Sequence, residues 1–373
     1  MRYHGYGMWP FDTLSRYIAR AFAGWFLAFL SLLASIVFIA DLLELLRRTA
    51  SRPQVTLDRV LEMAAMKLPH MVQELLAFAV LFAGIMAFWR LTRTQELVVA
   101  RSVGVSVWQF IGPAVLVALV VGALKVTAFN PIAAATQQRF LMMENRDIRG
   151  HAQTQLALGQ GGLWLRQARD GGHAIIHARQ VNADLTMLTP FMALLYRADG
   201  GFEARIDSPG ARLDGDAWLL ARPTLTPVGE SPRPLEDGHR IATTFTAQKI
   251  QDSLARPETM SFWVMPSYIE LLESAGFSAL RHRIYLQSLL ASPLLLAAMV
   301  VIAATFSLRP TRRGGVGRMI ATGVGTGFLL YLASDLLLAL GLSARLPAVL
   351  AAWAPAGVST LLASALLLHL EDG

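Results

Sequence analysis

Lys67, His70 and Glu74 stand at i, i+3 and i+7 inside an apolar stretch, a spacing that lines all three along one helical face. Ionisable side chains in such a stretch face a protein interior or a watery cavity, because exposure to hydrocarbon costs several kcal/mol. Two arrangements satisfy them. Lys67 snorkels and pairs with Glu74, a structural role needing no ligand. Alternatively, Lys67 and His70 join Arg47 and Arg48, which directly follow another apolar stretch, in a cationic rim that grips the phosphates of an anionic lipid. Asp335, inside a later apolar stretch, is a structural partner or, with Glu74, a cavity residue.

The second chemically suggestive stretch is RLTRTQELVVARSVGVSVWQF, residues 90–110. Thr92 with Gln95 has capping-box spacing, so a short helix over about 92–104 is predicted, with Gly104 as its left-handed stop. Ser106 with Gln109 forms a second box that opens the next helix. The short helix carries Glu96, Leu97 and Arg101. It either rests on lipid headgroups or docks a partner, with Glu96 offering its carboxylate to a partner arginine.

Other chemistry is excluded by residues that are missing. A phosphate-binding P-loop needs Gly-Lys before Ser or Thr, and the three lysines follow Met66, Leu124 and Gln248, so the chain has no standard ATPase site of its own. There is no cysteine, hence no disulfide, thiol nucleophile or thiolate metal site. Neither GxSxG nor HExxH occurs, so the common hydrolase signatures are absent. His173 and His177 are four apart in a predicted strand, about 13 Å along one face, too far for a shared zinc. No cofactor, metal or nucleic-acid partner is expected.

The elements that must hold these residues are membrane-spanning. Hydrophobic residues make up 54% of the 373-residue chain and charged ones 16%, well under the roughly 25% of soluble domains; one soluble core could not hide so much apolar surface. Six windows reach the length needed to cross hydrocarbon: about 21–46, 60–89, 107–129, 285–306, 318–340 and 347–368. The first is longer than a secretory h-region and charged residues follow it, so it reads as an uncleaved span. Gly323, Gly325 and Gly327 lie within the fifth and predict close helix packing.

Between the two triplets the pattern changes. Short alternating runs at 162–168, 173–179, 202–208, 216–222 and 241–247 are separated by turn signals at Asp170-Gly171-Gly172, Asp199-Gly200-Gly201 and Asp214-Gly215-Asp216. An all-β sandwich or jelly roll is expected there. The predicted fold class is a membrane α-helical bundle of six spans, three plus three, with an inserted β jelly roll. Its parts are 1–130, 131–260 and 261–373. The β stretch carries 14 basic and 14 acidic residues, so the net charge of +7 belongs to the membrane part.

That charge sets an expected orientation. With the N-terminus inside, the inner segments carry ten arginines (2, 16, 20, 90, 93, 101, 309, 312, 313, 318) against five outside (47, 48, 52, 59, 345). Both termini are thus expected in the cytoplasm and the β domain outside, which in a bacterium is the periplasm.

The chain resembles the lipopolysaccharide export permease family (LptF/LptG), more closely its G-type branch. The resemblance is carried by Glu96-Leu97-Val98-Val99 followed by Gly104, Gly162-Leu163-Trp164, SLLASPLLLAAMVVIAATFSLRP (288–310), TGVGTGFLLYLASD (322–335) and WAPAG (353–357), in order over more than 300 residues. It implies an inner-membrane half-transporter that pairs with an F-type subunit above a homodimeric cytoplasmic ATPase, which binds the ATP. Such a pair takes lipopolysaccharide from the outer leaflet and hands it to membrane-anchored and soluble periplasmic jelly-roll bridge proteins. Glu96 falls on the family's acidic coupling position and Arg47/Arg48 on its basic pair, with a slightly longer linker before Arg47. His70 stands where relatives carry lysine. Two other classes compete: an intramembrane lipid-modifying enzyme using Lys67, His70, Glu74 or Asp335 as acid or base, and a membrane-anchored periplasmic lipid-binding module.

Overall fold

The computed structural model describes residues 13–371 except 51, 53–54, 103, 150–154, 160–161, 170, 183–185, 244–255 and 308–315. Arg2, Arg309, Arg312 and Arg313, the Asp170 turn residue and the last four residues of the 241–247 run lie outside the described residues. Two compact units are present. One comprises Met1–Leu141, Ser261–Trp263 and Arg283–Gly373; the other comprises Met142–Met260 and Val264–His282.

The first unit is the helical bundle. Helices α1 (Thr13–Thr49) and α2 (Leu57–Arg93) form a long hairpin, followed by α3 (Glu96–Ser102) and α4 (Val107–Leu124). A π-helical turn, Lys125–Phe129, joins α4 to α5 (Asn130–Met143), and a second π-helical stretch, Glu144–Arg149, already belongs to the second unit. Among the described residues six helices are long and apolar enough to cross a membrane, and the third runs unbroken over Val107–Ile148. The boundary expected at 130/131 therefore falls inside a continuous helix. The π turn there has partners for its polar groups: the Thr127 carbonyl accepts from Trp263 Nε1 at 3.0 Å. The buried Asn130 side chain accepts from the Phe262 amide at 2.8 Å.

After the sheet come α6 (Met265–Ser274), α7 (Leu280–Ser307), α8 (Val316–Leu342) and α9 (Ala348–Glu371). The α7 helix is hydrophobic all round and occupies the middle of the bundle: 72% of its most apolar window is buried, against 11% for α1 and α8. Its Val300 and Ala303 pack with Phe22, Phe88 and Phe110 in one core cluster. Small residues permit these crossings. A Cβ on Gly122 would lie 2.4 Å from Pro293 Cα, and Gly323 and Gly327 admit Ile85 and Leu81 of α2 against α8. Gly325 faces open space.

The second unit is an antiparallel sheet that curls on itself. Its strands are β1 (Gln155–Gly159), β2 (Gly162–Arg169), β3 (Gly172–Val181), β4 (Met187–Arg197), β5 (Phe202–Ser208), β6 (Gly210–Asp214), β7 (Ala217–Ala221), β8 (Thr224–Pro227), β9 (Arg233–Pro234) and β10 (His239–Ala242). One limb runs β1-β2-β3-β4-β5-β8-β9; a second, β6-β7-β10, branches from the start of β4. Alternate residues point inward, so Leu165, Ile176, Phe191, Ile206 and Trp218 fill the interior, each at most 3% exposed. The limbs meet at the buried Gln167. Its Nε2 donates to the Ala242 carbonyl at 2.8 Å, and Thr243 Oγ1 donates to its Oε1 at 2.6 Å. The α6 helix belongs to this unit rather than with the last spans. The Val181 amide donates to the Ala275 carbonyl just past its end.

The expected strands at 162–168, 173–179, 202–208 and 216–222 correspond to β2, β3, β5 and β7. His173 and His177 are spent on aromatic contacts: His173 stacks on Tyr196 at 4.8 Å, and His177 lies 4.2 Å from the Trp164 ring. No cluster of three or more metal-ligating side chains occurs among the described residues.

Candidate functional site

Two groups of polar residues occupy opposite ends of the α1–α2 hairpin. The first surrounds α3. The predicted box between Thr92 and Gln95 does not form. Leu91 is buried, and that apolar contact carries α2 on to Arg93. Thr92 thus remains helical and its Oγ1 donates to the Ser307 carbonyl at the end of α7, 3.2 Å away. The chain reverses instead through Gln95, which takes a left-handed φ of 64°, and α3 begins at Glu96. Gly104, at φ 89°, stops it as predicted. The second box is present. Ser106 Oγ accepts from the Gln109 amide at 3.2 Å, and the Ser106 amide donates to Gln109 Oε1 at 3.1 Å.

Glu96 is held in place from two sides. Its Oε1 accepts from Thr94 Oγ1 at 2.8 Å and from the Tyr17 hydroxyl of α1 at 3.3 Å. Leu97, on the helix expected to dock a partner, is 3% exposed and packs with Ala100 into the bundle core. A helix of seven residues cannot stand alone, and this apolar pair is what fixes it. The exposed face is made by Val98 and Val99, 55% and 64% exposed, with Arg101 beside them. Apolar pairs left open on an anchored helix are suited to docking. Tyr17, Val98 and Val99 carried no expectation as site residues; the signal was an apolar run, residues 97–100, too long for the one face that a seven-residue helix can bury.

The second group lies at the hairpin end. Lys67 does not pair with Glu74. Two helical turns separate them by about 10 Å along the axis, whereas Asp41 of α1 approaches from the side. Lys67 Nζ donates to Asp41 Oδ1 at 2.5 Å and lies over the Phe140 ring of α5, 5.4 Å from its centroid. Glu74 takes His70 instead, with Nε2 to Oε1 at 3.7 Å. Arg47 and Arg48 lie within the last turn of α1 and share Glu44, at 3.0 and 2.8 Å. Arg47, Arg48, Lys67 and His70 each face a carboxylate, and all four lie in the half of the hairpin nearer its turn.

The two carboxylate partnerships differ in burial. Glu44 is in contact with solvent, so its pairs contribute little to stability. Asp41 is not: its side chain is 7% exposed, against 27% for Lys67. Its second oxygen, Oδ2, is buried without a hydrogen-bond partner. Asp335 lies on an exposed part of α8, a few residues from the exposed Tyr331. No lipid-exposed face holds a carboxylate cheaply, so this side of α8 is suited to a hydrated cavity or another subunit.

Comparison with known proteins finds relatives over nearly the whole chain. The chain is 22% identical over 368 residues to the lipopolysaccharide export system permease protein LptG of Escherichia coli strain K12, covering 97% of this chain and 99% of that protein. It is 20% identical over 358 residues to the protein of the same name from Haemophilus influenzae, covering 92% and 95% respectively. The model of the lipopolysaccharide export system permease family matches residues 16–369, spanning α3, the charged hairpin end and the curled sheet alike. The chain therefore belongs to the LptF/LptG family of lipopolysaccharide export system permeases.

Proposed function

We propose that this inner-membrane, multi-pass chain is the G-type permease subunit of a lipopolysaccharide exporter. It pairs with an F-type subunit and is driven by a separate cytoplasmic ATPase. The observation that carries this reading is α3: an anchored helix with an open valine pair and a positioned carboxylate, on a chain that has no Gly-Lys phosphate loop. Docking there would let a partner's ATP-driven motion enter the bundle. The arginine asymmetry supports placing α3 and both termini in the cytoplasm and the sheet in the periplasm. The charged hairpin end then lies toward the outer leaflet, where the phosphates of lipopolysaccharide would meet Arg47, Arg48, Lys67 and His70. The β1 strand pairs only β2 among the described residues, so its other edge can add a strand from a jelly-roll bridge protein.

The test is co-purification. The chain expressed with its F-type partner should retain a soluble ATPase through affinity capture, and the assembly reconstituted in vesicles should release lipopolysaccharide to a soluble acceptor only with ATP. Capture without any ATPase, or release without ATP, would refute the reading.

A further inference from the structure

We propose that Asp41 is a specificity-determining residue: an internal counter-carboxylate that a lipid phosphate must displace from Lys67. It thereby selects phosphomonoester lipids over the phosphodiester lipids of the surrounding bilayer. This inference rests on the proposed function, since it deepens what the hairpin end recognises.

Three observations support it. The ion pair joins two helices, Asp41 on α1 and Lys67 on α2, so its exchange changes what holds the hairpin together. Lys67 is the more accessible partner, so a ligand entering from outside meets the ammonium and not the carboxylate. Asp41 Oδ2 is buried and unpartnered, so the resting pair is less than fully satisfied and open to a better-bonded anion. An ammonium has three donors, and a single carboxylate oxygen accepts from it in the resting pair.

Competition then supplies the selectivity. Asp41 presents one negative charge to Lys67. A phosphodiester headgroup also carries one, and gains nothing by replacing a carboxylate already in place. A phosphomonoester carries about −1.5 to −2 charges near neutral pH and outcompetes Asp41. The neighbouring cations follow the same rule less strictly, because Glu44 and Glu74 are more exposed and yield to any anion. Asp41 is the buried one, and so sets the threshold.

The experiment uses the assembled transporter in nanodiscs. Dissociation constants are measured for diphosphoryl lipid A and for phosphatidylglycerol, with inorganic phosphate as a separate competitor, in wild type and Asp41→Asn. Both lipids should bind the variant more tightly. Phosphatidylglycerol should gain more, so that the preference for lipid A falls about tenfold, the equivalent of losing one charge-assisted hydrogen bond. A merely structural role would weaken both lipids together. An unchanged preference in an assembled variant overturns the proposal, as does a gain confined to inorganic phosphate. Asp41→Ser serves if the asparagine variant does not assemble; if neither assembles, Asp41 is a folding residue and the proposal fails. Absence of any lipid A preference in wild type would instead refute the proposed function.

Discussion

Replacing Val98 and Val99 with serine tests whether α3 is a docking element. Both side chains are more than half exposed, at 55% and 64%, so a partner that covers them removes that remaining apolar area from water. Full burial of a valine is worth about 1.5 kcal/mol, so each contributes roughly 1 kcal/mol on docking and the pair about 2 kcal/mol. That corresponds to about thirtyfold weaker binding of the ATPase. The assay is titration of the partner ATPase onto the permease pair in nanodiscs. Leu97→Ala provides the contrast. Leu97 is 3% exposed within the core, and its truncation costs about 2–5 kcal/mol of stability through the cavity it leaves. It should lower the melting temperature more than the affinity of the docking face. Affinity within twofold of wild type in Val98→Ser/Val99→Ser would refute the assignment of that face.

Three further outcomes are expected. Arg47→Glu with Arg48→Glu should reduce the preference for phosphorylated over dephosphorylated lipid A by about a hundredfold, two charge-assisted bonds being lost, with little effect on melting because the arginines are exposed. Lys67→Met should lower the melting temperature markedly, since stranding a buried charge costs about 3–5 kcal/mol, while adding Asp41→Leu should restore most of it; equal melting of the single and double variants would contradict the buried pair. Tyr17→Phe removes the hydroxyl that reaches Glu96 from α1 and should lower lipid-stimulated ATP hydrolysis without releasing the ATPase, as measured by turnover against captured ATPase.

The charged side chains of the hairpin were legible in the sequence by type, but their partners were not. Lys67 and Glu74 share a helical face, and from one helix that looks like a pair. The true partner, Asp41, comes from another helix, and only packing reveals which of two carboxylates is closer. Its signal was nonetheless present, as the first charge to interrupt the first apolar stretch. The helix at α3 was visible from Gly104 and the Ser106–Gln109 box, both local devices. Its start was misplaced because a positive φ at Gln95, a residue without special preference for it, follows from where Leu91 must be buried. The β4 strand escaped notice because its outward residues Met192, Leu194 and Tyr196 are as apolar as its buried Phe191, Ala193 and Leu195, which erases the alternation a strand displays. The sixfold count of spans was legible, since length and hydropathy fix it without reference to neighbours.

The unbroken length of α1 has a mechanical consequence. Proline interrupts α2 and α7 at Pro69 and Pro293, yet none lies within the 37 residues of α1. Between Tyr17 and Arg47 the helix is a stiff rod roughly 45 Å long, at 1.5 Å per residue. A tilt of about 5° pivoting at Tyr17 would sweep Arg47 through about 4 Å and Asp41 through about 3 Å, at 1.5 Å of rod per residue. The second displacement exceeds the reach of the Asp41–Lys67 contact. A small angular input beside Glu96 would thus be geared into a larger displacement at the Asp41–Lys67 pair, with α1 as the lever arm.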